Sequence, residues 1–164
     1  MTTTQGTAKV TLPADNQILV TREFNAPKRL VWRAYTEPEL VKRWWAGEKG
    51  TMVSADIDLR VGGRWRYVMT ANGGFEVAFR GEYREVAAPD RLVNTEIFEG
   101  IPDPDSHAGI VTVTLTERDG ATHMDMLCEY RDEADRDAVI ASGMEGGMQE
   151  GLDKLEQVAA SLED

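Results

Sequence analysis

The sequence predicts an α+β domain. A curved antiparallel sheet of about seven strands wraps on one long C-terminal helix, and two short helices follow the first strand. Three observations predict it. Residues 134–162 place apolar side chains at Ile140, Met144, Met148, Leu152, Leu155, Ala159 and Leu162, three or four positions apart, the spacing of one helix face. Residues 17–130 alternate apolar and polar with period two, as strands with one buried face do. Residues 28–44 alone break that alternation with helical spacing. An amphipathic helix and a one-sided sheet bury their apolar faces on each other, and a twisted sheet of this size curls round the helix.

In chain order, residues 17–24 form the first strand, with Ile18, Val20 and Phe24 on its apolar set. Asn25 is a capping residue type and Pro27 suits the first helical turn, so residues 28–35 read as a short helix with Leu30, Val31 and Ala34 on one side. Thr36-Glu37-Pro38 repeats the signal for a second short helix over residues 39–44, ended by Gly47 and Gly50. Strands follow at residues 51–59 and 64–70, joined by a Gly62-Gly63 turn. Asn72-Gly73 marks a hairpin into residues 75–86. Ala88-Pro89-Asp90 turns into residues 91–98, and residues 100–106 are a loop with Pro102 and Pro104. Residues 110–116 and 122–130 flank Asp119-Gly120, a second hairpin turn.

The long helix holds Gly143, Gly146, Gly147 and Gly151, each costing about 1 kcal/mol relative to Ala in a helix interior. Gly143, Gly147 and Gly151 lie four apart and make a bare strip beside Met144, Met148 and Leu152. Either the strip lets neighbouring backbone approach or kinks the helix, or it leaves room for a ligand between helix and sheet. Methionines beside such room suit variable apolar ligands.

Residues 1–15 are polar and Thr-rich without an apolar core segment, so they read as a flexible N-terminal tail rather than a signal peptide, with one domain over residues 16–164. No apolar run approaches the roughly 20 residues that span a bilayer. The net charge of −11 argues against nucleic acid and anionic membrane surfaces as partners. A single cysteine, Cys128, permits no disulfide within the chain, and a cytoplasmic location follows.

Particular stretches resemble a known family: Phe24-Asn25-Ala26-Pro27, then Val31-Trp32-Arg33-Ala34-Tyr35-Thr36-Glu37-Pro38-Glu39 and Arg43-Trp44-Trp45. Asp58-Leu59-Arg60-Val61-Gly62-Gly63-Arg64-Trp65, Gly81-Glu82-Tyr83-Arg84-Glu85-Val86, Pro89-Asp90-Arg91-Leu92-Val93 and Gly143-Met144-Glu145 continue it. Together they resemble the helix-grip fold of the START-like (SRPBCC) superfamily, in the branch named after the C-terminal domain of the heat-shock protein 90 ATPase activator. The resemblance implies a cavity between the C-terminal helix and the sheet. It also implies a homodimer, since such proteins often pair. The family includes binding proteins and polyketide cyclase-like enzymes. The eukaryotic activator carries an N-terminal domain with no counterpart in this sequence, which weighs against a chaperone partner.

The expected ligand is a small apolar or amphipathic molecule, bound without catalysis. Its candidate contacts are Trp44 and Trp45 after the short helices, and Trp65, Tyr67, Met69, Phe75, Val77 and Phe79 on adjacent strands. Met124, Met126, Met144 and Met148 complete the set, and all of these serve equally well as plain core. A cyclase- or hydrolase-like enzyme and a chaperone-linked interaction module are the alternatives. No catalytic residue is assigned. Glu96, Asp56 and Asp125 could do acid–base work, but strand parity does not place any of them inside. His107 and His123 are the only histidines, so neither metal nor cofactor is expected. His123 has opposite parity to Met124, Met126 and Cys128 and is expected to point away from them.

Overall fold

The protein is described by a computed structural model covering residues 7–162. Its strands are β1 (Lys9–Thr11), β2 (Gln17–Phe24), β3 (Gly50–Ile57), β4 (Arg64–Ala71), β5 (Glu76–Ala87), β6 (Arg91–Phe98), β7 (Gly109–Arg118) and β8 (Ala121–Glu129). The helices are α1 (Lys28–Thr36), α2 (Pro38–Val41), α3 (Glu133–Ala141) and α4 (Met144–Ser161). All strands join one antiparallel sheet in the order β1-β2-β8-β7-β6-β5-β4-β3.

The register explains the core. Ile18 faces Cys128, Val111 faces Cys128 and Leu115 faces Met124 across their pairs, so alternate residues of β2, β7 and β8 form one apolar surface. Leu152, Leu155, Val158 and Ala159 of α4 and Leu30 and Val31 of α1 are buried in the same cluster. Among the described residues, no helix is long and apolar enough to cross a membrane.

The structure departs from expectation at four places. The first is an eighth strand, β1, inside the stretch read as a tail; residues 1–6 of that stretch lie outside the described residues. Three residues are too few to show a periodicity. What holds them is pairing with β2 and a double hydrogen bond: Ala8 N donates to Gln149 Oε1 at 3.2 Å, and Gln149 Nε2 donates to Ala8 O at 2.6 Å.

The second is the long helix, which is two. Gly143 takes φ 83°, in the left-handed region where glycine has no Cβ penalty, and separates α3 from α4. Further along the strip, a Cβ on Gly151 would meet the Trp44 and Trp45 carbonyl oxygens at 3.5 and 3.7 Å. The strip therefore holds a break at Gly143 and a packing contact at Gly151, while a Cβ on Gly147 would meet only Lys49 Cγ at 3.9 Å.

The third is the start of α1, where Pro27 is the N-cap and Asn25 is not. The Asn25 backbone N–H instead donates to Glu156 Oε2 at 2.7 Å, which ties the end of β2 to α4. The fourth is α2, a single turn of four residues with Pro38 at its first position.

One charged residue sits in the apolar face. Arg22 shares the inward parity of Ile18, Val20 and Phe24 and is 2% exposed. Its Nη2 lies 3.1 Å from Asp153 Oδ1 and 3.5 Å from Glu156 Oε1, both on α4, and its guanidinium stands 4.9 Å from the Phe24 ring centre.

Candidate functional site

The site grows from the inward face of β4, β5 and β6. On β4 the alternation brings Trp65 and Tyr67 inward, both buried. Their ring centres are 4.7 Å apart. On β5, Tyr83 lies opposite Asn94 of β6, and Leu92, Asn94 and Glu96 share one face of β6. Above this floor come Tyr35 from α1 and Trp44 and Trp45 from the turn after α2. Tyr35 stacks on Trp44 at 5.6 Å, and Trp45 meets Tyr67 and Phe79 edge-on at 5.3 and 5.0 Å.

These side chains enclose a recess with about 350 Å³ free of atoms, its open side included. The part in which water can sit fully inside is about 40 Å³, against the roughly 10–15 Å³ that one water needs on this measure. A few waters, or a ligand of similar bulk, fit the recess as it stands.

Hydrogen bonds fix the rings. Trp44 Nε1 donates to Ala34 O at 2.7 Å, and Trp65 Nε1 donates to Thr95 O at 3.1 Å. Trp65 reaches Thr95 by lying across Gly81, its partner on β5. A Cβ on Gly81 would stand 1.9 Å from Thr95 O and 2.5 Å from Trp65 Nε1. Gly81→Ala is therefore expected to displace Trp65 and destabilise the fold by about 1–3 kcal/mol, as overpacking does. Urea unfolding with tryptophan fluorescence measures both effects; unchanged stability and emission would contradict this account of the floor.

Electrostatically, Glu96 stands out. It is half-buried, and among the described residues its carboxylate makes no hydrogen bond and no ion pair. Burial pushes its carboxyl up to about 7. The titratable groups that feel its charge are Tyr35 of α1, Tyr67 of β4, and Cys128 and Tyr130 at the end of β8. Burial raises every one of them, so all are neutral around pH 7. Tyr83, which lines the same recess, is raised by burial too. The arrangement can hold a polar head against Glu96 with rings around it, and Glu96 can exchange a proton near neutral pH.

The remaining acid–base candidates lie elsewhere. Asp56 is exposed opposite Arg66. Asp125 Oδ1 lies 2.9 Å from His123 Nε2, and Glu23 Oε1 lies 2.6 Å from His123 Nδ1. His123 does point away from buried Met124 and Cys128, and these carboxylates hold its pKa up. Among the described residues no group of three or more His, Cys, Asp or Glu side chains is placed to hold a metal ion.

Of the twelve ligand contacts expected from sequence, the recess brings together Trp44, Trp45, Trp65 and Tyr67. Phe79 backs Trp45 from outside the lining. Met69 and Met124 are buried and Val77 is half-buried, none of them in the lining. Met126, Met144 and Met148 pack on the core, and no residue of α4 lines the recess. Phe75 is 63% exposed in the turn before β5. Tyr35, Tyr83, Leu92 and Asn94 were not anticipated. On β6 the opposite face also carries apolar residues, Val93 and Ile97, so parity there points both ways. The four-residue step from Val31 to Tyr35 was the signal available on α1.

An antiparallel sheet holding a C-terminal helix, with a recess under short helices after the first long strand, defines a helix-grip protein of the START-like kind. Residues 25–160 match the family described as activator of Hsp90 ATPase homolog 1-like protein, and the chain belongs to that family. Solved structures agree. A Rhodobacter sphaeroides protein is 26% identical, with 94% of this chain and 99% of that one covered at a TM-score of 0.85. A Staphylococcus epidermidis protein is also 26% identical, covering 93% and 95% at a TM-score of 0.75. A Mycobacterium smegmatis protein at 24% identity covers 95% and 98%, with a TM-score of 0.83, and supports the fold alone. No curated protein matches the sequence.

Proposed function

We propose that the protein binds a small amphipathic molecule in the recess between α1, the Trp44–Trp45 turn and strands β4 to β6. One observation carries the reading: a half-buried carboxylate without a protein partner, Glu96, set among aromatic rings beside space open to solvent. A group of this kind is costly to bury and is found where a ligand meets it. Family membership supports the reading, since such proteins commonly bind hydrophobic ligands. The small free volume argues for a compact ligand rather than a lipid chain. A chaperone-linked role rests on the family description alone, and no feature of the recess favours it.

The test is native mass spectrometry of gently purified protein, repeated after denaturation and on Trp45→Ala. The expected result is a mass excess that vanishes on denaturation and is missing from the variant. A mass excess retained by Trp45→Ala would place the ligand elsewhere and contradict the reading. A second reading, acid–base catalysis on the same ligand, is favoured by the carboxyl near 7. Under it, Glu96→Gln would keep the ligand bound but leave it chemically unchanged.

A further inference from the structure

We propose that the ligand of this recess is a small organic cation, an ammonium-bearing molecule, with the aromatic rings as its cage and Glu96 as its counter-ion. The inference rests on the ligand-binding reading above and names the class of ligand. Four features lead to it.

The walls are rings. Trp44, Trp45, Trp65, Tyr35, Tyr67 and Tyr83 surround the space, and aromatic faces attract cations through their quadrupole. The Trp44 and Trp65 N–H groups are taken up by Ala34 O and Thr95 O, and Asn94 Nδ2 donates to Thr95 O at 2.9 Å. An anion would face the Glu96 carboxylate.

The only charge is negative. No Lys, Arg or His lines the recess, and Glu96 has no partner among the described residues. Basic groups are near at hand, since Lys42, Arg43 and Lys154 line a separate recess on the other side of Trp44, yet none faces Glu96. A carboxylate in a ring-lined space free of protein cations suits a cation from outside.

The size fits. Free space for a few waters suits a trimethylammonium-sized head. Finally, the net charge of −11 attracts cations towards the protein from a distance.

The experiment titrates ¹⁵N-labelled protein with choline and, separately, with 3,3-dimethyl-1-butanol, the neutral carbon isostere of choline. The indole N–H signals report the site: Trp44, Trp45 and Trp65 line it, whereas Trp32 does not. Choline is expected to shift the three and leave Trp32 in place, with affinity at least about tenfold above that of the isostere. Glu96→Gln, which has nearly the same shape, is expected to lose a similar factor. Equal affinity for both probes, or undiminished choline binding by Glu96→Gln, would overturn the cation assignment. If the isostere shifted these indoles and choline did not, the amphipathic-ligand reading would stand and the cation assignment would fall. If neither moved them while native mass spectrometry still showed a bound mass that Trp45→Ala loses, the cation assignment alone would fall.

Discussion

Arg22→Ala is expected to lower the unfolding free energy by about 3–5 kcal/mol, because it removes the buried cation that Asp153 and Glu156 face. Arg22 occupies an inward position of β2, where burial lowers its pKa and Glu156 and Asp153 raise it. Asp153 and Glu156 both belong to α4, so the contact docks the C-terminal helix on the sheet. Glu156 also accepts the Asn25 N–H, which couples the same contact to the start of α1. Arg22→Met, which keeps apolar bulk in the buried space of the arginine stem, should cost less. Urea denaturation of the two variants measures the difference; a loss below about 1 kcal/mol for Arg22→Ala would mean that this contact does not hold the helix.

Glu96→Gln is expected to change stability with the opposite sign and only at higher pH. The folded-state carboxyl titrates at about 7, above its ordinary 4.5. A raised value means that folding favours the protonated form. The stabilisation is complete below 4.5 and is lost as pH rises through 7, by up to about 3 kcal/mol. The groups around Glu96, namely Tyr35, Tyr67, Tyr83, Cys128 and Tyr130, stay neutral over this range and add no charge of their own. Glutamine cannot ionise. The variant should match the wild type near pH 4.5 and exceed it at pH 8.5. Thermal unfolding across that interval would show the two curves parting; curves that stay together would mean that Glu96 is well solvated.

The sheet was legible because alternation survives in most strands. Residues 17–24 and 91–98 fall on β2 and β6, and Asp119-Gly120 turns with positive φ at both residues, as its hairpin type requires. The break at Gly143 was less legible, since apolar spacing runs straight through it and only a left-handed glycine shows the stop. The site was half legible. Trp65 and Tyr67 followed from strand parity and Trp44-Trp45 from composition. The methionine stripe on α4 marks burial without saying what it is buried against; α4 packs on α1 and α3, and none of its residues lines the recess. Glu96 was hidden because its strand carries apolar residues on both faces; in the fold it shares the inward face of Leu92 and Asn94.

The central claim is that Glu96 lies among three of the four tryptophans and titrates there near neutral pH. The most direct test is the ¹H–¹⁵N spectrum of the indole groups from pH 5 to 9, for the wild type and Glu96→Gln. His107 pairs with Asp135 and His123 with Glu23 and Asp125, all away from the recess, so these contacts should survive the substitution. The account predicts that Trp44, Trp45 and Trp65 move with a shared midpoint near 7 and Trp32 does not, and that the movement vanishes in Glu96→Gln. Three indoles that stay still across the range, or move unchanged in the variant, would contradict it.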